Sequence, residues 1–334
     1  MFKRAVIQII ILICVLCANS SFAAQKESSR KASLIIDLNN GKVLHANNPH
    51  ALRYPASLVK MMTLYLTFKK INEGELSLDT KLLVSSKAAS MPRLNMSLKA
   101  GSHVSVRKAI LGVIVHSSND AAVVLAEAIG GSETNFAKMM TEQARILKMY
   151  NSTFRNASGL PDKNQKSTAH DLALLSIALK RDFPSFFPWF SVTSFAYNGK
   201  TYNSHNRVLL NYKWATGLKT GFTNASGFNL TTTAHKDGRH LVGVVLGENT
   251  SAARDKLMMS LLDNHFNKAA HGIKEAPLAN KATPKLRKKI INTEIIKVKA
   301  QPNKKINKNS TKIKKITAKP KKSLKLDKTK VRKS

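Results

Sequence analysis

The sequence predicts an α/β fold of the α+β type: one antiparallel β-sheet flanked by helices, with a helical lobe inserted between its first and last strands. Two observations carry that expectation. Strand-patterned segments stand at the two ends of the body, "KASLIIDLNNGKVLHANN" (31–48) and "GFNLTTTAHKDGRHLVGVVLGE" (227–248), and the long stretch between them has helical periodicity. Strands so far apart in the chain share one sheet only if the first and last segments meet, which leaves the helices between as a separate lobe.

The elements follow in order. The first segment is an apolar run, the turn dipeptide Asn40-Gly41 and a second run, a β-hairpin pattern. Pro55 then stops any strand. From Ala56, "ASLVKMMTLYLTFKKINEG" places Leu58, Met61, Met62, Leu64, Tyr65, Leu66 and Phe68 at helical spacing and ends near Gly74. Ser57 is thus expected in the first turn of a helix, with Lys60 on the same face one turn later. Three more runs read as helix throughout: "RKAILGVIVHSSNDAAVVLAEAIGG", "NFAKMMTEQARILKMY" and "STAHDLALLSIALKRDF". The period then changes to a strand, a turn at Asp237-Gly238 and a strand, and a last helix is expected from about Ala252 to His265.

The two ends of the chain have a different character. Residues 1–23 have basic Lys3 and Arg4, an apolar run from Val6 to about Ala18 and the triplet Ser21-Phe22-Ala23, the layout of a cleaved export signal. The run is short for a membrane span. Cys14 and Cys17, the only cysteines, lie inside it, so the mature chain is expected to lack a disulfide, a thiolate nucleophile and any Cys-ligated metal. Residues 24–268 form the expected catalytic body and 269–334 a basic tail. Of the formal charge of +36, residues 274–334 supply 22 Lys and Arg against three acids. The tail has no aromatic residue and too little apolar surface to offset its ordering entropy, so disorder is expected there. Anionic lipid or envelope polyanions are its expected partners; nucleic acid is not, because export removes the opportunity and the body shows no aromatic-interleaved basic face.

Without cysteine, and with ten histidines that form no H-E-x-x-H pattern, neither a metal nor another cofactor is expected, and the nucleophile must be Ser, Thr, Lys or a carboxylate. No G-x-S-x-G elbow is present. What does appear, in chain order, is Ser57-x-x-Lys60, Ser117-x-Asn119 and Lys219-Thr220-Gly221. This set is shared by class A β-lactamases and penicillin-binding proteins. Singly the parts are cheap, since Ser28/Lys31 and Ser105/Lys108 repeat the first and Ser204-His205-Asn206 repeats the second. Order and context single out the three: the first heads a helix, the second sits where a helix-patterned run begins, and Lys219 of the third is expected to open the first strand of the C-terminal hairpin.

Each part has a physical reason. A serine hydroxyl needs a base, and an amine serves only if burial and a neighbouring cation lower its pKa. Lys60 on a buried face, with Lys219 as that cation, meets both demands. The helix start puts partial positive charge at Ser57, where an oxyanion would develop. Ser117 is expected to relay a proton between Lys60 and a leaving amine, and Asn119 to hold a substrate amide and position Lys60. Lys219 and Thr220 are expected to bind a substrate carboxylate. Gly221 leaves the strand edge open to a substrate backbone. The backbone N–H groups of Ser57 and Phe222 would form the oxyanion hole.

The segments "YPASLVKMMT", "HSSNDAAVVLAE", "STFRNASGLPD", "STAHDLALL" and "GLKTGFTNASGFNL" resemble the serine D-alanyl-D-alanine carboxypeptidases, the low-molecular-mass penicillin-binding proteins, from about Ala32 to His265. The resemblance implies a β-lactamase/DD-peptidase-like fold with its site in a cleft. It implies removal of the terminal D-Ala from peptidoglycan stem pentapeptides through an acyl-serine, with inhibition by β-lactams. The export signal and the lack of mature cysteine lead to an expected place in the periplasm, with the basic tail allowing a peripheral position at the membrane surface. By the same resemblance, roles pass to matching residues. It makes Ser57 the nucleophile, Lys60 the general base, Ser117 the relay and Lys219 a substrate contact. It also places His205 and Arg254 where relatives put a basic residue near the substrate carboxylate. The chain departs from the family at Thr216, where relatives often have an acid, and in carrying a basic tail where many have a β-rich domain ending in an amphipathic anchor.

Two alternatives keep the fold. A class A β-lactamase needs a Glu in an E-x-x-L-N context to activate the deacylating water, and "STFRNASGLPD" has none. A DD-endopeptidase acting on cross-linked stems uses the same three parts. A third reading is non-catalytic, an envelope polyanion-binding protein whose tail is the function, and the intact catalytic set speaks against it.

Overall fold

The computed structural model describes residues 30–92 and 94–268; the expected export signal at 1–23 and the basic tail at 269–334 lie outside the described residues. The first segment forms β1 (Ala32–Asp37) and β2 (Val43–Asn47) around the Asn40-Gly41 turn, with Gly41 at φ +74. After a 3₁₀ turn at Ala56–Val59 comes α1 (Lys60–Asn72). Then follow β3 (Lys81–Leu83), α2 (Ser86–Ala89), β4 (His103–Ser105), α3 (Val106–Leu111), α4 (Asn119–Gly130), α5 (Glu133–Ile146) and α6 (Ala169–Asp182). The small hairpin β5 (Ser194–Tyr197) and β6 (Lys200–Asn203) precedes α7 (Arg207–Asn211). Strands β7 (Ala215–Thr223), β8 (Gly227–Lys236) and β9 (Arg239–Glu248) and helix α8 (Ser251–Lys268) complete the described chain.

The main sheet is antiparallel in the order β2-β1-β9-β8-β7. The first and last strand segments therefore do meet: β1 pairs along its length with β9, from Ala32 opposite Leu246 to Asp37 opposite Leu241. All six residues of β1 are buried because helices cover both faces of the sheet. Alternation divides the apolar residues, as the two-residue strand period requires. Leu34, Ile36, Val242, Val244 and Leu246 join the large core shared with the helical lobe, while Ile35 and Val245 face the other way onto Met258 and Leu262 of α8.

Helix α1 runs through the large core. Every residue from Lys60 to Phe68 is buried, the pattern of a helix enclosed on all sides rather than lying on a surface. Its end is stacked into an aromatic cluster, with Phe68 parallel to Phe186 at 4.7 Å between centroids and edge-on to Phe183 and Phe190. Helix α6 is capped by Thr168, whose hydroxyl accepts from the Asp171 N–H at 3.0 Å.

Two expectations are corrected in detail. The run from Arg107 to Gly131 is not one helix. It is α3, a widened turn over Gly112–His116 and α4, broken at Ser117 with φ +60 and ψ +33. The break is held by long-range bonds that no local period reveals: Asn119 N–H donates to Leu94 O at 2.8 Å, and Asp120 accepts from Met96 N–H at 2.8 Å and Leu98 N–H at 3.2 Å. Lys219 does not open its strand either. Pairing of Ala215 with Ala234 extends β7 four residues further back, so Lys219 stands mid-strand.

Phe68 is fully buried against three aromatic rings, so Phe68→Ala should cost about 4 kcal/mol of unfolding free energy through lost burial and the cavity left behind. Urea unfolding would measure it.

Candidate active site

Ser57 lies in the 3₁₀ turn that leads into α1, and Lys60 is the first residue of that helix, so one turn of backbone brings the two side chains together. Lys60 Nζ donates to Ser57 Oγ at 3.1 Å and to Asn119 Oδ1 at 2.8 Å, and a third bond reaches the Ser158 carbonyl. Lys60 is 0% exposed. Its pKa is held well below the usual lysine value, first by burial and then by the charge of Lys219, with Asp120 opposing. The amine is thus biased to the neutral form that can accept a proton.

The turn before Ser57 is tightly built. Ala56 has φ +49, a conformation unfavourable for an L side chain. Asn229, fully buried on β8, donates to Tyr54 O at 3.0 Å and Pro55 O at 3.2 Å and accepts from Gly247 N–H at 2.9 Å. Two glycines then let backbone close around Ser57. A Cβ on Gly159, at φ +82, would lie 2.1 Å from Ala56 O and 2.9 Å from Ser57 N; one on Gly221 would lie 3.0 Å from Ser57 N. Strand β7 and the Ser158-Gly159 loop therefore approach the Ser57 amide from two sides.

That loop is pinned along its length. Asn156 Oδ1 accepts from Gly159 N–H at 2.7 Å, Gln165 Oε1 from Arg155 N–H at 3.0 Å, and Ala157 O from the Thr63 hydroxyl of α1 at 2.7 Å. Asp171 ties its root by accepting from Ser152 Oγ at 2.8 Å. The Ser158 carbonyl is consequently a fixed acceptor for Lys60.

These elements wall a cleft of about 780 Å³ lined by Ser57, Ser117, Asn119, His205, Thr220, Phe222 and Arg254 among others. Its size suits a small peptide or drug-sized ligand. None of its lining residues is acidic, while His205, Arg207 and Arg254 are basic. Lys219 lies just beneath, 3% exposed, donating to Thr220 O at 3.1 Å. Its pKa is pushed down to about 7 by burial and by the charge of Arg254.

Ser57, Ser117, Asn119, His205, Thr220, Gly221, Phe222 and Arg254 line this cleft, and Lys60 and Lys219 bond to lining residues from behind it, but their settings differ. The buried Ser117 hydroxyl has no hydrogen-bond partner among the described residues, and none links it to Lys60. It shares a small recess with His205, Lys219 and Thr220. Asn119 is fixed at both ends of its amide, accepting from Lys60 and donating to Pro92 O at 2.8 Å. Phe222 is 46% exposed and stacks on its cross-strand partner Phe228 at 4.2 Å between centroids, forming an aromatic wall. His205 lies 5.1 Å from His116 between ring centroids, and burial followed by the Lys219 charge lowers its pKa. It therefore offers a neutral N–H rather than a full charge near pH 7. Arg254 is buried and already paired, with Nε and Nη2 on Asp255 Oδ1 at 2.9 and 2.7 Å. Thr216 shares a hydrogen bond with Thr233 Oγ1 at 2.8 Å, so it is a strand-to-strand link and has no bond to Lys219.

Sequence reasoning missed Ser158, Gly159, Arg207 and Asn229. Gly159 stands inside a quoted segment, but only the structure shows Ala56 pressed against it. The Ser158 contribution is a backbone carbonyl, which no residue type announces. The rival pair Ser105 and Lys108 has a different explanation: Ser105 Oγ accepts the Lys108 backbone N–H at 3.3 Å and caps α3.

A family model described as D-alanyl-D-alanine carboxypeptidase matches residues 19–250. The D-alanyl-D-alanine carboxypeptidase DacD of Salmonella typhimurium is 36% identical over 250 residues, covering 72% of this chain and 64% of its own length, so the chain spans less than two thirds of that relative. Among solved structures, the carboxypeptidase DacD of Francisella tularensis superposes with a TM-score of 0.69 at 31% identity, over 70% of each chain. The penicillin-binding protein D2 of Listeria monocytogenes in its ampicillin-bound form does so with a TM-score of 0.62 at 31% identity, over 71% of this chain and 97% of that one.

Gly159→Ala should destabilise the protein by on the order of 2 kcal/mol or more, combining a left-handed backbone with a clash against carbonyl and amide atoms. Gly131→Ala is the control: it shares a positive φ but has nothing within 4 Å of the added Cβ, so it should cost about 1 kcal/mol. Equal losses in urea unfolding would show that the Ala56 contact is not rigid.

Proposed function

Because the chain belongs to the D-alanyl-D-alanine carboxypeptidase family, we propose that it is a serine DD-carboxypeptidase that removes the terminal D-Ala from peptidoglycan stem pentapeptides and is acylated by β-lactams. The observation that carries this reading is Lys60: a fully buried amine with a lowered pKa, 3.1 Å from the Ser57 hydroxyl. In the proposed reaction Ser57 Oγ attacks the carbonyl of the penultimate D-Ala while its proton passes to Lys60 Nζ. The negative charge that develops on the carbonyl oxygen faces the Ser57 and Phe222 N–H groups. Collapse breaks the amide bond, and the leaving D-Ala nitrogen takes a proton from Lys60 through Ser117. Water then attacks the acyl-serine, releasing the shortened peptide and regenerating Ser57.

Substrate placement follows from charge. Lys219 and Thr220, with His205 and Arg254 as nearby polar partners, take the terminal carboxylate in a cleft lined by no acid. Asn119 holds the substrate amide, and the edge of β7 at Gly221 accepts the peptide backbone. A class A β-lactamase needs a carboxylate to activate water against the penicilloyl ester, and no acid is among the residues lining this cleft, which supports the carboxypeptidase reading over that one. The protein acts in the periplasm in this reading, with its basic tail drawing it to anionic lipid or envelope polyanions. Among the described residues no helix is long and apolar enough to cross a membrane.

Mass spectrometry after penicillin treatment should find one adduct, mapped to Ser57, and repeated rapid hydrolysis of the drug would favour a β-lactamase. Ser57→Ala should lose both the adduct and D-Ala release while keeping its fold; release that survives would assign the nucleophile elsewhere. Digestion of purified sacculi should yield free D-Ala, whereas dimer-to-monomer conversion without D-Ala would favour an endopeptidase. Burial depresses the Lys60 pKa most and the Lys219 charge next; Lys219→Gln removes only the second, so the Lys60 pKa rises part of the way back. Lys60 must be neutral to act as base, so the acidic limb of the acylation rate should move to higher pH. An unmoved limb would remove Lys60 from the role of titrating base.

A further inference from the structure

A second pocket of about 220 Å³ opens on the other side of the Ser57 turn, where Tyr54, Ala56, Pro161, Asp162, Lys163 and Ala225 line it. It shares Gly159, Leu160 and Thr223 with the cleft, so the two adjoin across these residues, one residue before the nucleophile at Ala56. The reaction described above leaves it without a role.

Charge and strand polarity indicate what reaches it. The basic groups Lys219, His205 and Arg254 gather toward the Lys219 end of the β7 edge, so a terminal carboxylate belongs there. A peptide pairing antiparallel with β7 then runs its N-terminal side toward Thr223. At about 3.3 Å per residue, the residue that precedes the D-Ala-D-Ala unit comes level with Thr223, where the second pocket begins. The walls there are apolar or aromatic from Tyr54, Leu160 and Pro161, and one charge of each sign stands at Asp162 and Lys163. Asp162 spends Oδ1 on Asn164 N–H at 2.7 Å, and its Oδ2 has no bond among the described residues. Lys163 is exposed and has no ion pair or hydrogen bond among them.

Resting on the carboxypeptidase reading, we infer that this pocket binds the side chain of the residue preceding D-Ala-D-Ala and selects one that ends in an amino-carboxylate. The Asp162 carboxylate meets the ammonium, Lys163 meets the carboxylate, and Leu160, Pro161 and Tyr54 cover the methylene stem. The pocket thereby sets which stem chemistry the enzyme prefers, with no part in bond breaking.

The test measures kcat/KM for D-Ala release from three peptides ending X-D-Ala-D-Ala, with X as diaminopimelate, lysine or Nε-acetyl-lysine. The proteins compared are the full chain, Asp162→Asn and Lys163→Gln. Asparagine keeps the Oδ1 acceptor for Asn164, so the turn survives and only the charge is lost. Asp162→Asn should lower the rate on the two peptides with a free amine by about fivefold, the worth of one partly exposed charge pair, and leave the acetylated peptide unchanged. Lys163→Gln should abolish the advantage of diaminopimelate over lysine and leave both lysyl peptides unchanged. Ratios among the three peptides that are the same in all three proteins overturn the inference. Penicillin labelling of Ser57 is followed in parallel. Labelling with indifference to X sinks this inference alone, whereas no labelling and no D-Ala release from any peptide sinks the carboxypeptidase reading and this inference with it.

Discussion

The Lys60 amine, enclosed on every side and bonded to Ser57 Oγ, Asn119 Oδ1 and the Ser158 carbonyl, is the interaction on which the rest of the site depends. Its partners come from three places far apart in the chain: the turn before α1, the start of α4 and the loop before α6. A charge cannot be stored cheaply in such a place, and that cost holds the amine well below the usual lysine pKa and favours its neutral, proton-accepting form. The packing of α1 is what imposes the burial. A surface helix with the same Ser-x-x-Lys spacing would leave the lysine hydrated, charged and unable to accept a proton.

Backbone proximity is the second constraint. Gly159 and Gly221 remove the two side chains that would otherwise hold the loop and β7 away from the Ser57 amide. Asn229 fastens the preceding turn to β8, so the nucleophile is carried by the sheet as much as by its own helix. Ala56 stays in an unfavourable conformation because these neighbours leave it no other.

Charge is distributed as sharply as geometry. Basic groups collect at one end of the β7 edge without an acid among the cleft's lining residues, and a mixed pair stands beyond the nucleophile at the other end. A peptide with one free carboxylate has only one orientation that suits such a gradient. Burial lowers the pKa of each buried basic group, and the groups add to it by mutual repulsion: Arg254 acts on Lys219, and Lys219 on Lys60 and His205. A single anionic ligand therefore meets several groups whose protonation it would favour.

Local periodicity and turn chemistry made much of this legible in the sequence. The order of strands and helices, the turns at Asn40-Gly41 and Asp237-Gly238 and the nearness of Ser57 to Lys60 follow from residues close together in the chain, and the pairing of the first and last strand segments follows from the need of strands at both ends to share one sheet. Tertiary structure alone decided the rest. It made Ser105 a cap and Ser57 a partner of a buried amine, broke the Arg107–Gly131 run at Ser117, and placed Lys219 mid-strand. It also supplied the Ser158 carbonyl, paired Arg254 with Asp255 and opened the pocket at Asp162. The reason is physical: a period of 3.6 or 2 residues reports which face a side chain occupies, whereas burial, backbone close approach and the partner of a charge depend on segments a hundred residues away.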